Sequence, residues 1–355
     1  MSVIQRVSPV ILTKYVQAIF VAAGLPAGDA RQVAEIMVLQ EMRGVRTHGL
    51  RFIESFLTSL ANNHMNPRPG RRVLRSAGAS VVIDGDRGLG VIACMETMNR
   101  AIRKARVHGI GIGITINNNH FLSAAPYCLR AAEAGMVGLA FSNTWAGMGY
   151  PGAVGRIIGN GPIGFAAPTA SGYTMVFDAA LSTSYGNLLQ WSRDGRGVPA
   201  GFMALDAKGK PTTDPRKVLD GGTPVPIGGH KGAGLVLMIE VLTGVLGGGA
   251  FLSAILPPAE RASKRDGESQ CCVAVDIAHF MPVKTFRARM TEFIADLKSK
   301  PLAEGYDAIV VPGEKARRNI LETSRRGILV DPDLVTTLTR LAGSLGVKSP
   351  FKPGK

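Results

Sequence analysis

Gly109-Ile110-Gly111-Ile112-Gly113-Ile114-Thr115-Ile116-Asn117-Asn118-Asn119-His120-Phe121 carries a β-type run into three amides and an imidazole. Residues 110–116 read as a strand, and residues 123–134 beyond the junction read as a helix. A histidine at such a handover stands where α/β proteins open a crevice for ligands. Its ordinary pKa lies close enough to neutrality for it to give or take a proton there. Two further motifs suggest an enzyme: Thr47-His48-Gly49-Leu50-Arg51, and Gly228-Gly229-His230-Lys231-Gly232.

Working outward, β and α signals alternate. Strands are expected at 80–83, Met136–Ser142, 173–177, 272–277 and 308–311, with helices at 91–107 and 283–297. The first sixty residues look helical: 8–24 opens on Ser8-Pro9, and 29–44 stops at Gly44. A third helix has Thr47 as its cap, with Leu50, Ile53, Leu57 and Leu60 on one face. Residues 152–164 form a glycine-rich loop. The pattern is that of an α/β protein with helical ends.

At 355 residues, 46% hydrophobic and 19% charged, the chain is long enough for two domains with sizeable cores. Cys94, Cys128, Cys271 and Cys272 lack zinc or disulfide-framework spacing, which points to reduced thiols and a cytoplasmic protein. No metal site is expected, because the six histidines are dispersed. The net charge of +15 is scattered, without aromatic interleaving, and reads as a field for anionic small molecules, with no nucleic-acid partner. Residues 232–256 are almost wholly apolar, yet Glu240 and Gly247-Gly248-Gly249 interrupt them. A buried core helix is expected there instead of a membrane span.

Gly88-Leu89-Gly90-Val91-Ile92-Ala93 has the form of a dinucleotide fingerprint, but no acidic residue follows about twenty positions on to hold a ribose. A Rossmann fold is therefore rejected. His48 at a helix start with Arg51 on the same side describes a carboxylate site, to which Thr47 also contributes. The plain alternative is a surface helix start with a solvated arginine. His120 is the candidate general acid/base, with Asn118 orienting substrate or ring. Asp178, at a strand's carboxyl end, could hold an imidazole in its tautomer, contact a cofactor hydroxyl, or simply cap a helix. Lys231 among glycines ahead of a helix suits a phosphate, and Gly159-Asn160-Gly161-Pro162 could admit a cofactor close to the backbone.

Taken together the motifs resemble the malate/L-lactate dehydrogenase family, over about residues 10–331. Arg43-Gly44 through Thr47-His48-Gly49 is similar to its R-G-x-x-S-H-G, and Asn119-His120-Phe121 to its N-H-F. Ser142-Asn143-Thr144, Gly159 to Pro162, Asp178 to Ser182, Gly228 to Gly234, Thr212 to Pro215 and Val311 to Glu314 match further family segments. The resemblance implies a non-Rossmann NAD(P)-binding α/β fold, with residues 116–299 forming the cofactor domain. Residues 1–115 and 300–355 would form a helical or mixed domain carrying the His48 motif.

It also implies a homodimer with sites near the subunit contact, NAD or NADP as cofactor with NAD favoured, and hydride transfer to or from a small 2-hydroxy or 2-oxo acid. Cyclic imino acid or diketo acid reduction, and a non-catalytic binding homologue, are the alternatives. By resemblance Ser142, Asn143, Asn160, Pro162, Asp178, Ala179, Ala180, His230, Lys231, Gly232, Pro312, Gly313 and Glu314 hold the cofactor. The chain departs from the family at Arg51, one place early, and at Phe56, Leu122, Gly161 and Leu181.

Overall fold

The glycines alternating through residues 109–113 bring a helix hard against a sheet. In the computed structural model Ile110–Asn118 is a nine-residue strand, and the Gly90–His108 helix lies across it. A Cβ at Gly111 would fall 1.9 Å from the Ala101 carbonyl oxygen, and one at Gly113 would fall 2.7 Å from Thr97 Cγ2. Only glycine permits that approach. On the other face Ile114 and Ile116 join a second core with Phe141, Val236 and Ile239. The structure describes residues 5–183, 188–195, 197, 204–261 and 266–351; residues 1–4 and 352–355 of the expected helical unit lie outside it.

Among the described residues the main sheet has seven strands, in the spatial order Arg72–Ala77, Ser80–Asp84, Ile110–Asn118, Glu268–Asp276, Met136–Ser142, Ile163–Pro168 and Thr174–Ala179. Ser80–Asp84 and Ile110–Asn118 run parallel, joined by the Gly90–His108 helix as their crossover. The other neighbours pair antiparallel. Strands come from both expected units, and Ile110–Asn118 runs across their boundary at 115/116. The larger core gathers the helices Pro9–Ala22, Ala27–Arg43, Ile53–Ala61, Ala125–Glu133 and Pro332–Ser344 on the Gly90–His108 side.

Several expectations change. Thr47 caps no α-helix: two 3₁₀ turns, Arg46–His48 and Leu50–Phe52, precede the Ile53–Ala61 helix. Gly49 breaks the run with non-helical dihedrals, and the Glu41 carboxylate accepts the Leu50 N–H at 2.8 Å. Residues 308–311 form no strand, since Ile309 and Val310 line a groove beside Tyr173 instead of pairing. The apolar run 232–256 is a helix, His230–Glu240, continued by a π-helical turn, Val241–Val245. Val236, Ile239 and Glu240 face inward, but Leu235, Met238, Val241, Val245 and Leu246 stand exposed on the outer face. Among the described residues no helix is long and apolar enough to cross a membrane.

Candidate active site

His120 sits just past the strand end, on a corner fixed from beneath. The Asn119 side-chain amide donates to the Arg87 and Gly88 carbonyls at 2.9 and 3.0 Å. Its Oδ1 accepts from Arg261 at 2.7 Å, and Arg261 in turn pairs with Glu268 at 2.9 Å; both ions are buried. Gly90 lies so close that a Cβ there would be 1.9 Å from the Asn119 carbonyl oxygen and 2.7 Å from the His120 carbonyl carbon. Gly88 packs on Pro69 in the same way. The glycines that mimic a dinucleotide fingerprint thus serve close backbone packing.

One cavity of about 470 Å³ opens above this corner. Of the residues singled out in the sequence, Thr47, His48, His120, Asn160, Pro162, Asp178, Ala179, Ala180 and Gly313 line it. The His48 and His120 rings stack with centroids 5.7 Å apart, and Phe52 lies against His120. Thr47 Oγ1 is 3.0 Å from His48 Nδ1. The Leu122 N–H donates to His120 Nδ1 at 3.1 Å, which places the neutral ring's proton on Nε2. Burial holds His120 well below the usual histidine range, and neighbouring His48 and Arg261 push the same way. His48 is lowered by burial too, with Asp178 pulling against it. The Asp178 carboxylate accepts the Ala124 and Ala125 N–H groups at 3.3 and 3.0 Å, so it satisfies the start of the Ala125–Glu133 helix.

Other predicted residues lie elsewhere. Arg51 is exposed, forms an ion pair with Asp331 and does not line the cavity; the break at Gly49 turns it away from the side on which His48 points. Asn118 is buried in the sheet, donating to Gln270 at 2.8 Å, and so reaches no substrate in the cavity. Ser142 and Asn143 are also buried: Ser142 bonds the Ser269 carbonyl, while Asn143 bonds Glu240, the Ala250 carbonyl and the Ser269 N–H. His230 and Lys231 are exposed at a helix N-terminus outside the cavity. Gly232, behind them, would place a Cβ 2.1 Å from the Ile227 carbonyl oxygen. The Pro312 carbonyl accepts from the Val176 N–H at 3.3 Å, and Glu314 turns to Lys298 in the Tyr173 groove.

The cavity also holds residues the sequence reading did not single out as a site. Arg43, at the end of the Ala27–Arg43 helix, is 7% exposed, and its Nε has no partner among the described residues. Thr144 Oγ1 donates to Asn160 Oδ1 at 3.0 Å, and the Asn160 N–H returns a bond to it at 3.0 Å. Lys315 and Asn319 share one face of the Glu314–Arg326 helix. The glycines Gly313 and Gly327 that bracket that helix were its legible signal.

Comparison with known proteins fits this arrangement. A family model described as malate/L-lactate dehydrogenase matches residues 7–339. The chain is 32% identical to a malate dehydrogenase of Pyrococcus horikoshii, covering 95% of this chain and 94% of the relative. It is 30% identical to a Delta(1)-pyrroline-2-carboxylate/Delta(1)-piperideine-2-carboxylate reductase of Pseudomonas putida, over 96% and 98%. The solved sulfolactate dehydrogenase of Methanocaldococcus jannaschii superposes with a TM-score of 0.89 at 31% identity, over 97% and 98% of the two chains. The shared fold and the matched length agree: this chain is an oxidoreductase of the malate/L-lactate dehydrogenase family.

Proposed function

We propose that the protein is an NAD(P)-dependent dehydrogenase or reductase acting on a small 2-oxo or 2-hydroxy acid at the His48/His120 cavity. The observation that carries the reading is the stacked histidine pair on the wall of a cavity that also holds a buried arginine. A nicotinamide would lie along the wall that Gly313, Asn160, Pro162 and Ala179–Ala180 form. Gly313 has φ +95°, and a Cβ there would crowd the Val176 N–H at 3.0 Å, so the backbone at this wall stays bare. Asn160, Pro162 and Ala179–Ala180 continue that surface. When bound, the nicotinamide supplies or accepts the hydride.

The chain's own residues handle the proton. Neutral His120 presents Nε2–H to the substrate oxygen and polarises it. In reduction His48, which Asp178 favours in its charged form, gives its imidazolium proton to that oxygen as the hydride arrives, is left neutral and is recharged from solvent; in oxidation neutral His48 takes the proton back. Asp178 fixes the Ala124–Ala125 turn beside them. His230 with its N–H and Lys231 with its ammonium, at a helix start behind Gly228 and Gly229 (both at φ +62°), would serve a cofactor phosphate. NAD is favoured over NADP. The exposed apolar face from Leu235 to Leu246 supports a homodimer, and the four free, buried cysteines support a reducing cytoplasm.

The test is absorbance-monitored oxidation of NADH and NADPH with pyruvate, oxaloacetate, sulfopyruvate, diketogulonate and piperideine-2-carboxylate. Turnover with one of them, lost in His120→Ala, is expected. Cofactor binding without turnover would instead mark a binding homologue.

A further inference from the structure

We propose that Arg43 is the side chain that anchors the substrate's carboxylate; the inference rests on the oxidoreductase reading above. Among the described residues, Arg43 makes no side-chain hydrogen bond or ion pair, although it is 7% exposed and lines the cavity. A guanidinium stays charged at any working pH, and leaving one buried without a partner is costly. A cavity that keeps such a group is prepared for an anion. Asp178 attracts Arg43 from nearby, but its oxygens are already taken by the Ala124 and Ala125 N–H groups.

Position supports the assignment. Arg43 ends its helix at Gly44, whose φ of +79° makes the left-handed cap. Asn319 locks that turn by donating to the Arg43 carbonyl at 3.1 Å, and a Cβ at Gly44 would meet the same amide at 2.4 Å. The guanidinium is thus held on a fixed stem in the cavity that His48 and His120 share. The competing arginine, Arg51, is committed to Asp331, and the next residue, Phe52, lays its ring against His120. Lys315, the other cation in the wall, is exposed and lacks the planar fork that matches a carboxylate.

The experiment compares wild type, Arg43→Gln, Arg43→Lys and Arg51→Gln. Steady-state kinetics use the best acid of the panel, thermal denaturation uses oxamate as the anionic probe, and cofactor affinity comes from NADH fluorescence titration. For Arg43→Gln, KM should rise roughly tenfold to hundredfold, with kcat and NADH affinity changing far less. The oxamate-induced rise in melting temperature should vanish in that variant. Arg43→Lys should fall between it and wild type, and Arg51→Gln should match wild type. Unchanged KM and oxamate response in Arg43→Gln, or their loss in Arg51→Gln, overturns the inference. If Arg43→Gln does not fold, a wild-type KM in Arg43→Lys overturns it. No turnover by wild type with either cofactor sinks the oxidoreductase reading alone, because the oxamate response still decides the role of Arg43.

Discussion

The Phe52 ring lies nearly flat on the His120 imidazole, with centroids 4.4 Å apart and planes 15° from parallel. An apolar ring on that face keeps water off the imidazole, in line with burial as the largest cause of its lowered pKa.

A pH dependence follows. His120 protonates only below its ordinary pKa of about 6.5, so kcat/KM for oxidation of the hydroxy acid, which needs the ring neutral, should fall as pH falls along a limb lying below that pH. Phe52→Ala lets water in, should shift the limb upward, and should cost about 3 kcal/mol of stability. Stability shows the same sign. Below about pH 6.5 the unfolded chain binds a proton that the folded ring refuses, so folding weakens as pH falls. His120→Gln should lose less stability than wild type between pH 7.5 and pH 5, as read by urea denaturation. Equal losses would contradict the lowered pKa.

Gly90→Ala should be damaging out of proportion to one methyl group. The new Cβ meets main chain at Asn119 and His120, which cannot swing aside as a side chain can. A penalty of about 2–3 kcal/mol in thermal or urea unfolding, with a fall in kcat, is expected.

Leu122 occupies the left-handed region at φ +67°, beside His120, and is 2% exposed. Leu122→Gly relieves roughly 1–2 kcal/mol of backbone strain but removes a buried side chain worth about 2–5 kcal/mol. The cavity cost wins, so the variant should melt lower. It should also gain activity toward bulkier 2-oxo acids relative to pyruvate, because Leu122 lines the cavity that His48 and His120 share. A melting point above wild type would show that the strain dominates.

The homodimer reading is tested at the outer face of the His230–Glu240 helix and the turn after it. Met238→Glu with Val245→Glu puts charge on two exposed apolar positions. Sedimentation of the variant should move from twice the chain mass toward 37.4 kDa. A wild type that already sediments at the chain mass would refute the dimer.

The helix that ends at Gly44, the strand into His120 and the Met136–Ser142 strand were legible because each is written in local chemistry: a left-handed cap, alternating glycines, a short apolar run. Arg51 misled for an equally local reason. In an uninterrupted α-helix it would share a side with His48, but the two 3₁₀ turns about Gly49 change its direction. Asn118 misled because its partner, Gln270, lies 152 positions away on a strand whose neighbours no local pattern reveals. Arg43 was visible as a motif letter, yet its isolation is a property of burial and appears only in three dimensions.

The strand Glu268–Asp276 lies between Ile110–Asn118 and Met136–Ser142, joining two halves of the sheet that precede it in the chain. During translation those halves must wait, each with an open hydrogen-bonding edge, until the ribosome has released residue 276. Gln270 then bonds both Asn118 and the Asn119 carbonyl, bracing the His120 corner from the late strand. Until then each half keeps a strand edge whose N–H and C=O groups lack their native partner, the geometry that favours edge-to-edge pairing between incomplete chains.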